Sequence, residues 1–113
     1  MLLEVNSISQ FETLIATYPV VLADFYADWC EPCKWLDKIL EEIDENLEKK
    51  VMIIKINSEK LLPIAQTYQI RSVPVLILFQ HSHVIWRMNG FLTTEEIISK
   101  LKSISRETNN KNS

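Results

Sequence analysis

One stretch constrains this chain more than any other. From Val20 to Lys34 it reads V-V-L-A-D-F-Y-A-D-W-C-E-P-C-K and carries the only two cysteines, spaced C-x-x-C. Val20 to Tyr26 is β-branched and aromatic without polar alternation, apart from Asp24, which describes a strand covered on both faces, as in a parallel sheet. From Glu31 to about Lys49 the period turns helical. Leu36, Ile39, Leu40, Ile43 and Leu47 form one apolar stripe, and Asp37, Glu41, Glu45 and Glu48 read as a solvated face around it. Val51 to Ile56 is the next strand, so a right-handed parallel crossover is the default.

The rest of the chain is organised around that unit. Met1 to Val5 is a short apolar segment suited to an edge strand. Ser7 and Gln10 have capping-box spacing ahead of a helix in which Phe11, Leu14, Ile15 and Tyr18 recur at helical period, and Pro19 ends it. Asn57 to Lys60 is a polar turn, and Leu61 to Tyr68 a short helix. Val75 to Phe79 and Val84 to Met88 are strands separated only by Gln80 to His83, which predicts an antiparallel hairpin. That turn lacks the glycine or asparagine that tolerates positive φ, so we expect it to be wider than the two-residue type. Thr93 or Thr94 caps a last helix striped with Ile97, Ile98, Leu101 and Ile104, and Trp86 covers a sheet face. The tally is β-α-β-α-β-α-β-β-α, a mixed sheet with helices on both faces. We expect one domain over residues 1–104 and a polar, disordered tail over 105–113.

Composition excludes some roles. A formal net charge of -3 with no basic cluster argues against nucleic acid or an anionic membrane as the main partner. No run approaches the length that crosses a bilayer. The amino terminus lacks a basic region followed by an apolar run of about 7–15 residues, so we expect no signal peptide. In a reducing compartment, C-x-x-C beside a βαβ pattern reads as a redox motif.

Disulfide exchange needs a thiolate nucleophile and a second thiol close enough to resolve the mixed disulfide. Cys30 at the helix edge meets unpaired N–H groups and the positive end of the dipole, which favour a thiolate. Cys33, one turn deeper, is the more buried resolving thiol. Pro32 suits the first helical turn through its fixed φ and absent N–H. Glu31 sets a carboxylate beside Cys30, which raises the thiol pKa modestly; it is equally a good first-turn residue, and the two readings are compatible. The competing reading of the cysteines is half a zinc site, which needs four ligands and has only His81 and His83 left to complete it. Asp24 in an apolar strand costs several kcal/mol unless paired or protonated. One reading makes it half of a structural, solvent-facing ion pair with Lys55 in the adjacent strand. From the residues alone Pro74 is equally a trans proline opening a strand.

Order and motifs together resemble the thioredoxin family over roughly Leu2 to Lys102. The resemblance rests on Asp24 to Lys34, on Lys55-Ile56-Asn57, on Tyr68 through Val73-Pro74, and on Gly90 before the last helix. C-x-x-C alone is weak; W-C-x-P-C-K after such a strand, with V-P about forty residues later, is strong. The departures are Glu31 for the usual glycine, Asp37 for the proline that commonly kinks the active-site helix, and His81-Ser82 for the customary Asn-Gly.

The resemblance implies a thioredoxin-like α/β fold, a central five-stranded mixed sheet flanked by four helices. It implies that Cys30 attacks and Cys33 resolves, that Asp24 relays the Cys33 proton with Lys55 tuning it, and that Val73-Pro74 is a cis loop opposite Cys30. Trp29, Glu31, Pro32, Val73, Pro74, Gly90 and Phe91 then bind substrate, Trp29 as part of an apolar docking rim rather than as core, with Trp35 exposed nearby. No cofactor or metal is bound; the redox group is a reversible Cys30–Cys33 disulfide. The function expected is a protein disulfide reductase, monomeric and cytoplasmic, or periplasmic or extracellular if a signal sequence is removed. Its partners are disulfide-containing proteins, with a thioredoxin reductase as electron donor. The alternatives are an oxidase or isomerase in an oxidising compartment, and a binding module with little redox turnover.

Overall fold

The computed structural model describes residues 1–46, 51–90 and 93–111. In chain order the elements are β1 (Leu2–Glu4), α1 (Ile8–Thr17), β2 (Val20–Tyr26), α2 (Glu31–Asn46), β3 (Met52–Asn57), α3 (Leu62–Thr67), β4 (Val75–Gln80), β5 (His83–Asn89) and α4 (Thr94–Lys111). The strands form one five-stranded sheet in the order β1-β3-β2-β4-β5. β1, β3 and β2 run parallel, while β4 pairs antiparallel with both β2 and β5. This is the mixed sheet with four helices that the sequence predicts.

Strand alternation sorts the core into two layers. Val21, Ala23 and Phe25 of β2 turn toward Phe11 and Leu14 of α1 and Ile64 of α3. There Phe11, Phe79 and Tyr68 meet in edge-to-face contacts, with ring centroids 5.4–5.9 Å apart. Leu22 turns the other way, toward Leu36, Leu40 and Ile43 of α2 and Ile97, Leu101 and Ile104 of α4, with Trp86 packed at its margin. Each fully buried Leu or Ile in this layer contributes about 1.5–3 kcal/mol. Leu47, Glu48 and Lys49, the expected end of the second helix, lie outside the described residues.

Local chemistry places the ends. The Gln10 N–H donates to the Ser7 hydroxyl at 3.1 Å, and the Gln10 side chain accepts from the Asn6 N–H at 2.6 Å, so the box closes one residue earlier than the pattern implies. Thr93 caps α4: its hydroxyl accepts from the Glu96 N–H at 3.2 Å. α4 continues to Lys111, through most of the segment expected to be an aperiodic tail. No glycine or proline follows Gly90 to stop it.

The hairpin corrects an expectation. Gln80 pairs with His83, leaving only His81 and Ser82 in the turn, at φ 48° and 71°. Two residues at positive φ match the strand twist. They are held from outside, since the His81 N–H donates to the Pro19 carbonyl at 2.9 Å and the Ser82 hydroxyl to the Ile15 carbonyl at 3.1 Å. A register shift between Leu78 and Phe79 absorbs the remaining mismatch.

Gly90, the only glycine, follows β5 at φ +104° and donates its N–H to the Pro74 carbonyl at 2.9 Å. A Cβ there would meet nothing within 4 Å, so the penalty of Gly90→Ala is one of backbone conformation. We expect that variant to lose about 1–2 kcal/mol. Denaturant titration should show a lower midpoint with an unchanged slope.

Candidate active site

β2 ends at Tyr26 and α2 begins at Glu31, so the cysteines straddle a strand-to-helix turn at the carboxyl edge of the sheet. The Cys30 N–H donates to the Ala27 carbonyl at 3.2 Å, which closes the turn. Pro32 occupies the first turn of the helix without an N–H to satisfy. Cys30 and Cys33 are joined by a disulfide and packed with Ala27 against Tyr26 and Val73. The burial difference expected between them is absent in this state, since each is 2 % exposed. Direction separates them instead. The Cys33 N–H donates to Cys30 Sγ at 3.2 Å, so one otherwise orphaned helix N–H is aimed at the first sulfur.

A cis-proline loop and an open groove adjoin the cysteine cluster. Val73-Pro74 is cis, and the Gly90 N–H to Pro74 bond anchors it to the end of β5. Trp29 is 69 % exposed and its indole N–H donates to Glu59 at 3.1 Å, so it forms a rim rather than core. Between Trp29 and Val73 lies an open groove of about 230 Å³, whose walls include Ala27, Glu59, Leu62 and Arg71. Trp35 is exposed as expected. Glu31 is exposed and paired with Lys34 at 3.1 Å, which screens its charge from Cys30. Phe91, expected in the rim, lies outside the described residues.

Beneath the turn, Asp24 is fully buried and neither carboxylate oxygen has a hydrogen-bond partner. Desolvation, reinforced by Asp37 and Glu4 and opposed by Lys55, pushes its pKa from 3.8 up to about 8. Lys55 is its register neighbour on β3, yet the two side chains do not form the solvent-facing pair that one reading of the sequence allows. The Lys55 ammonium lies 2.8 Å from Asp37 Oδ1 on α2 and 4.6 Å from the centroid of the Tyr26 ring. The Asp37 contact is an ion pair without hydrogen-bond alignment, since the buried Oδ1 has no hydrogen-bond donor.

Three features of the site are not visible in the sequence. Asp37 reads there as part of the solvated acidic face, although it lies four residues after Cys33 and so one turn along the same face. Glu59 gives no signal, because only the fold brings it to Trp29. Asn57 enters the sequence reading as a turn residue and as part of Lys55-Ile56-Asn57, with no bonding role attached to it. It donates to Asp28 at 3.3 Å and accepts from the Glu59 and Lys60 N–H groups at 3.0 and 3.1 Å, locking the loop after β3 to the cysteine turn. His81 and His83 are exposed at the hairpin, at the opposite end of β4 from Pro74. Among the described residues no group of three or more His, Cys, Asp or Glu is placed to hold a metal ion.

A family model described as Thioredoxin matches residues 3–103. The chain is 37 % identical over 95 residues to "Thioredoxin-like protein slr0233" of Synechocystis, covering 83 % of this chain and 90 % of that one. It is also 37 % identical over 99 residues to "Thioredoxin Y, chloroplastic" of Oryza sativa, covering 87 % of this chain and 59 % of that protein. The chain thus spans less than two thirds of that longer relative. Among solved structures, a mutant thioredoxin from Halobacterium salinarum superposes with a TM-score of 0.84 at 29 % identity, over 90 % of this chain and 88 % of that one.

The buried acid makes stability depend on pH. The folded protein holds the Asp24 proton up to about pH 8, whereas the unfolded chain releases it near 3.8. Between those values the folded state binds more protons, so stability is greatest at the acid end and falls as pH rises through the window. We expect a loss on the order of a few kcal/mol across it. Asp24→Asn, which cannot ionise, should flatten this slope and be the more stable protein at alkaline pH, as read by denaturant unfolding at several pH values.

Proposed function

The chain belongs to the thioredoxin family, and from that premise we propose that it reduces disulfides in other proteins through Cys30 and Cys33. One observation carries the reading: the Cys33 N–H is aimed at Cys30 Sγ, in a cluster with Ala27 and Val73, which also line the groove beside Trp29. In the dithiol form the Cys30 thiolate attacks one sulfur of a substrate disulfide. A bond forms between Cys30 and that sulfur, the substrate S–S bond breaks, and the second substrate sulfur leaves as thiolate. Cys33 then loses its proton and attacks Cys30 Sγ. The intermolecular bond breaks, the substrate leaves as a dithiol, and two electrons have passed from the cysteine pair to the substrate. Asp24 is the internal acceptor for the Cys33 proton, being a buried acid with no hydrogen-bond partner on the α2 side of the sheet.

Val73, cis Pro74 and Gly90 line up an extended substrate segment opposite Cys30, with Trp29 and Pro32 as the apolar rim. A reductase drawing on NADPH through a flavin restores the dithiol. The protein works as a monomer in a reducing compartment, the cytoplasm, where the pair is returned to its thiol form. Among the described residues no helix is long and apolar enough to cross a membrane.

Cysteine substitutions test the assignment of roles. We expect Cys33→Ser to accumulate mixed disulfides with substrate proteins at Cys30, and Cys30→Ser to trap almost none. Both should lose at least about 100-fold in turnover with a model disulfide substrate, since each removes a reacting sulfur. Equal trapping by both variants would contradict the assignment.

A further inference from the structure

Asp24 lies in a row of charged positions that crosses the sheet. Glu4 of β1 pairs in register with Lys55 of β3, Lys55 with Asp24 of β2, and Asp24 with Leu76 of β4. Alternation puts the row on the same face as Leu22, Ile53 and Leu78, the face that α2 covers. Asp37 reaches it from α2. The groups facing Asp24 are therefore Glu4 from β1, Lys55 from β3 and Asp37 from α2, while β4 supplies only an apolar side chain. Among the described residues, Lys55 is the one cation that acts on Asp24, against the two acids Asp37 and Glu4.

We propose that Asp37 is a positioning residue for the buried acid, drawing the Lys55 ammonium onto α2 and so withholding it from Asp24. The distances carry this. Lys55 Nζ stands 2.8 Å from Asp37 Oδ1 and, among the described residues, forms no ion pair with Asp24 despite the direct Asp24–Lys55 register. Asp37 is 30 % exposed and Lys55 only 16 %, so the ammonium gains more from a carboxylate that keeps part of its hydration. Asp37 then acts on Asp24 twice in the same direction: its own negative charge opposes a second one nearby, and its hold on Lys55 removes the compensating cation. Asp24 stays protonated near neutrality. The fraction able to take the Cys33 proton is small there and grows as pH rises.

This rests on the reading of Asp24 as proton acceptor, and the test separates the two. The Asp24 carboxyl is titrated by ¹³C NMR in the oxidised full-length chain, where no turnover occurs. Asp37→Asn should lower its midpoint by about one pH unit, and Asp37→Ser likewise; Asp37→Glu should hold it near the wild-type value. In a Lys55→Met background the Asp37→Asn shift should shrink to half or less, because the cation that Asp37 diverts is gone. No shift in Asp37→Asn, or a shift of the same size without Lys55, would overturn the proposal. In the exchange assay the acid limb of the rate profile should move with the NMR midpoint, raising the neutral-pH rate several-fold. If the midpoint moves and the rate profile does not, Asp24 is not the proton acceptor, while the control of its charge by Asp37 stands.

Discussion

β2 is hydrogen-bonded along both edges, to β3 in parallel and to β4 antiparallel, and the cysteine turn hangs from its carboxyl end. A strand held on both sides cannot slip without breaking two ladders and turning its buried face outward. That fixes where α2 starts. The stripe of Leu36, Leu40 and Ile43 then fixes the rotation of the helix on the sheet. Start and rotation together determine which helix N–H meets Cys30 Sγ. The register of β4 on β2 likewise sets Val73 and Pro74 beside the disulfide, since Val75 pairs with Phe25. Reactivity at a loop is thus controlled by the most rigid part of the sheet.

The same rigidity keeps Asp24 where no stability argument would place it. An ionised carboxylate with no hydrogen bond in an apolar layer costs several kcal/mol, and the chain meets this by keeping the acid protonated. Lys55 is near enough to reduce that cost by direct pairing, yet its ammonium is turned to Asp37. The pattern is one in which the charge balance holds a buried acid in its neutral form rather than supporting an ionised one.

Most of the fold is legible in the sequence because its signals are local. The unbroken apolar run of β2, the helical stripe of α2 and the caps at Ser7 and Thr93 all lie within single elements. The cysteine pair, Pro74 and Gly90 are legible through the family pattern. What escapes depends on contacts between elements. The two-residue hairpin is hidden because nothing local favours positive φ at His81 and Ser82; the Pro19 and Ile15 carbonyls that hold them come from another part of the chain. Asp37 is hidden for a related reason. An acidic residue amid Glu41 and Glu45 looks solvated, and only the placement of α2 over Lys55 shows that it turns inward.

The central claim is that the site has a direction, with Cys30 attacking and Cys33 resolving. Timed alkylation of the reduced wild-type protein at neutral pH, with each modified cysteine identified by mass spectrometry, tests this most directly. Our account predicts that Cys30 is modified first and that Cys33 remains a free thiol over the same interval. Equal rates, or faster modification of Cys33, would contradict it.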